Sequence, residues 1–315
     1  MFQLFKIRAF GEYISDTFTF LKLHGKNYFK NYLKFAFVAL LLLMVSMAMI
    51  GTFYYRVLTT AIGSTGSDTF DNMFVTENAV MLVIGFIALI IISLYLGMLN
   101  YSYPVYYMHL MGKNNSEKPE LRSIRQLFKE DIGRLLLFGL LSIIVFTVIG
   151  IIAFAIATVL SFIIIGIFVF MLIIPFFITW YSLTLYFYID KKQDFFTAFK
   201  HGFYTITNNF WNIVGAGLCM LIIVYVMNTI VIIVPYIISM VALIFGMQDP
   251  QNLQDPSGVS TIMIVIVIIY CFSILVGMIL NHLLLIQNGL VYYSEREKLE
   301  YNSMRQSIDE IGKHE

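Results

Sequence analysis

Five histidines, His24, His109, His201, His282 and His314, are the residues of this chain best suited to hold a metal or move a proton. A membrane di-iron oxygenase needs histidines and carboxylates gathered on facing helices. No two of these histidines stand in an HxxxH or HxxHH pattern, and the long apolar runs contain no Asp or Glu. That spacing predicts no metal, no cofactor and no oxygenase chemistry. His24 and His201 fall at matching points of two similar segments, where they could meet or could equally be interfacial imidazoles shared with water. Cys219 and Cys271 lie inside apolar runs without metal-type neighbours, and the expectation for each is a buried thiol. The chain holds no GxGxxG, Walker A, HExxH, GxSxG or CxxC element. No nucleophile and base can be assembled, so the sequence points away from an enzyme.

The remaining polar side chains within the apolar runs are Asn100, Thr147, Thr179, Asn228, Asn281, His282, Gln287 and Asn288. Ion-coupled transporters place a carboxylate, Lys or Arg near the membrane midplane; none occurs here. Asn100 follows Gly97-Met98-Leu99, and Asn281 follows Gly277-Met278-Ile279-Leu280, which suggests equivalent positions in two spans. Two readings fit. In one, Asn100, Asn228, Asn281 and His282 line a polar cleft between spans 2, 5 and 6, opening to the cytoplasmic leaflet. In the other they are interhelical hydrogen bonds, each worth about 0.6 kcal/mol.

The elements that carry these residues are helices in a membrane. Of 315 residues, 59% are hydrophobic and 12% charged, where a soluble domain carries about 25% charge. A net charge of +1 gives no footprint for nucleic acid. MFQLFKIRAFGEYISDTF lacks an apolar core and a cleavage site, so the first span is expected to direct insertion. Spans are predicted at about 33–55, 79–101, 210–234 and 259–284. Between them, Leu135 through Ile189 carry no charge; at about 1.5 Å per residue that is roughly 80 Å, more than twice a hydrocarbon layer of about 30 Å. This stretch must fold back near residues 158–166, making spans 3 and 4. Pro175 is expected to kink span 4, and Pro235 to break or bend span 5 ahead of a short helix at 236–246. Residues 63–71 and MQDPQNLQDPSG read as loops.

Charge fixes the expected orientation. Nineteen of the 20 Lys and Arg residues fall in the first 34 residues, in 113–134, in 190–209 or in the tail; only Arg56 falls on the other side. The positive-inside rule then predicts six spans with both termini cytoplasmic.

Ahead of spans 1, 3 and 5 lie amphipathic segments. Residues 10–31 place Phe10, Tyr13, Ile14, Thr17, Phe18, Leu21 and Tyr28 opposite Lys22, Lys26 and Lys30. KPELRSIRQLFKEDIGR repeats the stripe with Leu121, Ile124, Phe128 and Ile132, and DFFTAFKHGFYTITNN with Phe195, Phe196, Phe199, Phe203 and Ile206. Each ends in an Asn or Asp suited to cap the following span: Asn27, Asp131, Asn209. The even spans end alike, in Tyr106-Tyr107, Tyr186-Phe187-Tyr188 and Tyr292-Tyr293. The expected fold is therefore all-α, an integral membrane six-helix bundle. It is built of three repeats (about 10–112, 119–190 and 194–294) of interfacial helix plus transmembrane hairpin, spanning 1–294, with a polar cytoplasmic tail at 295–315. Aromatic belts and caps common to six-span proteins would give part of the same pattern.

FGEYISDTFTFLKLHGKNYFKNYL and FTAFKHGFYTITNNFWNIVGAGL resemble the two signature stretches of the six-span membrane domain attached to some bacterial glycerophosphodiester phosphodiesterases. They are similar also to free-standing, Bacteroidota-like relatives. The resemblance covers about residues 10–294 and implies the membrane fold in a bacterial inner membrane. The soluble phosphodiesterase domain has no counterpart in these residues, so that activity is not implied. Some relatives carry a carotenoid oxygenase label, which the histidine spacing argues against.

Two functions are expected to compete. One is a non-enzymatic, lipid-interacting or scaffolding component of the cell envelope, touching anionic headgroups through Lys22, Lys26, Lys30, Arg122, Arg125 and Lys200. The other is a transporter or lipid-translocating protein using the Asn/His cleft. The expected partners are membrane lipids and other membrane or envelope proteins, with no nucleic acid.

Overall fold

The computed structural model describes residues 2–63, 78–113, 118–162, 165–248 and 256–300. Their regular structure is helical throughout, in eight helices: α1 (Phe10–Gly63), α2 (Asn78–Lys113), α3 (Leu121–Glu130), α4 (Ile132–Ser161), α5 (Ile165–Asp190), α6 (Phe195–Asn208), α7 (Phe210–Gln248) and α8 (Pro256–Glu300). Six of them, all but α3 and α6, are long and apolar enough to cross a bilayer. Their flanks expose Phe37, Val38, Ile91, Leu140, Ile151 and Ile230, each more than half accessible. Lipid is the solvent that tolerates such a surface, and in it only intrahelical hydrogen bonding satisfies the backbone. The chain is a multi-pass membrane protein.

The α4–α5 hairpin turns where its length requires, with α4 ending at Ser161 and α5 opening at Ile165. Pro175 lies inside α5. Most of the predicted 63–71 loop, and residues 249–255 of the second loop, lie outside the described residues.

Three expectations need correction. Pro235 does not end its span: α7 runs unbroken from Phe210 to Gln248. Staying helical leaves fewer backbone groups unpaired than a break would. The second correction concerns residues 10–31, which form no separate interfacial helix. They continue into the span as one 54-residue α1. The asparagine that read as a cap here bonds elsewhere: Asn27 Oδ1 accepts from Tyr107 (2.9 Å), while its neighbour Asn31 donates to the Pro119 carbonyl (2.9 Å). The face that looked lipid-directed is protein core. Tyr13, Thr17, Phe20 and Tyr28 are fully buried, and His24 nearly so, whereas Phe10 and Phe18 stay exposed. Breaks do precede α4 and α7, at Asp131 and Asn209. Asp131 makes no side-chain cap either; its Oδ2 accepts from Tyr106 (3.3 Å).

The aromatic ends of the even spans are helical and packed within the protein. Tyr106, Tyr107, Tyr186, Tyr292 and Tyr293 are all at most 1% exposed. Third, the helix of span 6 continues to Glu300, so the first six residues of the expected tail, 295–300, are helical.

Asp194 does cap the helix that follows it. Its Oδ2 accepts from the Thr197 N–H (3.0 Å), opening α6, and its bonds to Thr197 hold the carboxyl below the ordinary carboxylate range. One face of α6 (Phe195, Ala198, Gly202, Ile206) is buried on α5. Gly202 is required there, because a Cβ would lie 2.9 Å from Thr184 Oγ1. Trp180 Nε1 donates to the Phe199 carbonyl (3.0 Å), fixing the α5–α6 register.

The chain divides into two compact units. Met1–Phe35, Met98–Tyr225 and Asn281–Glu315 form the first; Ala36–Gly97 and Val226–Leu280 form the second. Among the described residues, the first holds almost all the buried polar and aromatic side chains.

Candidate functional site

Residues four apart share a helix face, and in the first unit three helices bring such rows together. Tyr28 and Tyr32 come from α1, Tyr103 and Tyr107 from α2, and His282 from α8. Around the His282 ring stand Tyr32 (4.0 Å between centroids), Tyr28 (5.4 Å), Phe29 and Tyr103 (6.1 Å each), nearly all edge to face. That geometry puts positive ring edges against negative faces. The Tyr28 hydroxyl and His282 Nδ1 share a hydrogen bond of 2.8 Å. Tyr32 donates to Asn100 Oδ1 (3.0 Å), and Tyr103 donates to the Tyr28 carbonyl (2.6 Å). Each buried hydroxyl thus finds a partner on a different helix.

Phenylalanine at Tyr28 would leave His282 Nδ1 unpaired in a wholly buried site. An unmade buried hydrogen bond costs about 1–3 kcal/mol. Tyr28→Phe is expected to lower the unfolding midpoint in detergent accordingly, with Tyr28→Phe/His282→Leu recovering part of the loss. A wild-type midpoint for the single variant would show that the bond contributes nothing.

Among the described residues, four polar side chains in this unit are incompletely satisfied. His24 Nδ1, Ser142 Oγ, His282 Nε2 and both amide atoms of Gln287 are buried without a hydrogen-bond partner. Asn288 is fully engaged, accepting from Thr179 Oγ1 and donating to Ser182 Oγ (3.1 Å each).

A second cluster joins the ends of α2, α5 and α8. The side chain of Asp190 is 4% exposed. Its Oδ2 accepts from the Tyr292 hydroxyl and from Arg296 Nη1 (2.6 Å each), and its Oδ1 pairs with His109 Nδ1. Arg296 turns its other nitrogens to Glu300 Oε2 (2.9 and 3.3 Å), and Glu300 pairs with Lys191. Nearby, Arg8 is buried on the Leu4 and Gln3 carbonyls and on Asp16 (2.9 Å). Burial lowers its guanidinium pKa, and Asp16 acts in the opposite direction. Arg134 donates to the Tyr188 and Gln193 carbonyls at the entry to α6. Charge counting treats these residues only as signs on one side of a membrane; their pairing was missed.

Of the predicted cleft residues, Asn100 and His282 come together on Tyr32, and both are buried. Asn281 is half-buried beside His282 in the chain. Asn228 belongs to the second unit, with its Oδ1 against Gly277. His24 and His201 share no partner: His24 packs on Phe2 and Phe20, and His201 bonds Gln193 (3.0 Å). Lys22, Lys26, Lys30, Arg122, Arg125 and Lys200 are all exposed. Among the described residues no three metal-ligating side chains cluster, and Cys219 is a free, half-buried thiol. No protein-family model matches this chain, and no curated protein or solved structure does either.

Proposed function

We propose that this protein is a non-enzymatic, lipid-interacting scaffold of a bacterial inner membrane. Its termini would face the cytoplasm, and its basic residues would engage anionic headgroups there. The carrying observation is a division of labour among the cations. Arg8, Arg134 and Arg296 are taken up inside the fold. Lys22, Lys26, Lys30, Arg122, Arg125 and Lys200 are exposed and make no ion pair among the described residues; only Arg125 lends an N–H, to the Lys34 carbonyl. Cations near an anionic leaflet contribute about 1 kcal/mol each. The translocation reading is supported less, because Asn100 and His282 are hydrogen-bonded to tyrosines in packed interior.

The test uses the full chain in vesicles of phosphatidylcholine and phosphatidylglycerol with spin-labelled probes of each. The wild type is expected to enrich the anionic probe at its surface several-fold, and added salt is expected to weaken that enrichment. Glutamate at all six positions should abolish the preference. Single cysteines at Lys26, Arg125 and Lys200, in a cysteine-free background, should resist impermeant reagents applied to intact cells. Equal enrichment in the reversed variant, or labelling from outside, would defeat the proposal.

A further inference from the structure

The second unit contains a cavity that the basic residues do not touch. About 250 Å³ in volume, it lies between α7 and α8, lined by Asn228, Ile232, Tyr236, Tyr270, Ser273 and Gly277 among others. Tyr236 and Tyr270 are 62% and 56% exposed, so the cavity opens sideways on the surface these spans present to lipid. For a helix entering hydrocarbon at Phe210, Asn228 lies roughly 27 Å along the axis, near the far edge of a layer about 30 Å thick. Tyrosines favour that depth, with the ring in hydrocarbon and the hydroxyl toward water.

The lining selects a chemistry. Between Lys200 and Asp249, and between Asp255 and Glu295, the chain carries no Lys, Arg, Asp or Glu. A charged headgroup would be buried there without a counter-ion, which is strongly unfavourable. Among the polar groups lining the cavity, alongside the Tyr236 and Tyr270 hydroxyls, one is an unmet acceptor. Asn228 Oδ1 is buried without a hydrogen-bond partner. Ser273 Oγ donates its proton to the Ile269 carbonyl (2.9 Å), leaving only its lone pairs. Gly277 keeps the way open, because a Cβ there would stand 3.3 Å from Asn228 Oδ1. An occupant that meets this buried acceptor is uncharged, largely hydrocarbon, and able to donate one hydrogen bond.

We propose that this cavity binds one neutral membrane lipid, whose free hydroxyl donates to Asn228 Oδ1. The assignment goes beyond the headgroup reading and stands or falls separately from it, because none of the six basic residues lines the cavity.

Full-length protein in nanodiscs is photolabelled with diazirine probes: a diacylglycerol, a polyprenol, the O-methyl ether of each, and a phosphatidylglycerol. Labelled positions are mapped by peptide mass spectrometry. At least one free alcohol should label residues 228–236 and 269–277 about five-fold more than its ether, what one net hydrogen bond is worth. Whichever alcohol shows this identifies the lipid class. Asn228→Leu should bring that ratio to about one while the protein stays monodisperse. Ile232→Trp should remove the labelling, and Gly277→Ala is a milder blocking variant should the tryptophan not fold. Ethers labelling as strongly as both alcohols, a ratio that survives Asn228→Leu, or preferential labelling by phosphatidylglycerol would each overturn the proposal.

Discussion

Alanine at Asp190 is expected to destabilise the protein by about 2–4 kcal/mol, the largest effect of any single side-chain truncation in the cluster that joins α2, α5 and α8. The carboxylate is nearly inaccessible and serves three helices at once through Tyr292, Arg296 and His109. Removing one partner of a buried pair costs about 3–5 kcal/mol, because the other charge is left in low dielectric. The lower figure applies here because Arg296 keeps Glu300 and is itself 17% exposed. It also retains the faces of Phe5, Tyr292 and Tyr293 within 6 Å. Asp190→Asn keeps an acceptor for Tyr292 and should lose less. The decisive comparison is Asp190→Leu with Asp190→Leu/Arg296→Met: removing both charges should recover much of what removing one forfeits. Unfolding in mixed micelles measures all four variants. A wild-type midpoint for Asp190→Ala would show that the network is incidental to stability.

Little of this network was legible in the sequence, for a physical reason. Hydropathy registers how far a residue is from charge, and so it finds spans. Arg134 and Arg296 flank apolar runs and were legible as positives on one side, but their partners are set by folding. Asp190 and Arg296 stand 106 residues apart, and Tyr28 and His282 stand 254 apart. No periodicity within one helix connects them. Periodicity did locate the oily stripe of residues 10–31, though not what covers it: an apolar face looks the same whether lipid or protein will bury it.

The tyrosines pose the same ambiguity more sharply. A tyrosine suits the headgroup layer and equally suits a core that supplies a partner for its hydroxyl. Tyr103, Tyr107 and Tyr292 each have such a partner, and each is buried. The capping signals failed at Asn27 because side-chain oxygens bond whatever donor folding brings within reach, here Tyr107. At Asp194 the N-cap spacing to Thr197 was present in the sequence but was read only as the start of an apolar stripe. What the sequence did establish is the alternation of charge-free runs and basic connections, which suffices for six helices and the α4–α5 hairpin.

Valine at Gly289 is expected to prevent accumulation of folded protein, and alanine there to cost about 1–3 kcal/mol through overpacking. A Cβ at this position would lie 2.2 Å from Met108 Sδ and 2.4 Å from the Tyr186 hydroxyl. These two groups are themselves in contact, Tyr186 donating to the sulfur at 3.4 Å. Neither can withdraw freely. Met108 and Tyr186 are at most 1% exposed, and Tyr186 is stacked on Tyr292 at 4.9 Å. Methionine is the more pliable of the two, so the strain should fall mainly on Met108. Met108→Ala would remove the obstructing sulfur, and combining it with Gly289→Ala should cost less than the sum of the single changes. Gly150 is the control: no atom lies within 4 Å of its added Cβ, so Gly150→Ala should be neutral or gain up to about 1 kcal/mol from helix propensity. Thermal unfolding of the purified variants decides the matter. If Gly289→Ala melts with Gly150→Ala, the close approach of α8 to α2 and α5 at this point is not what holds them together.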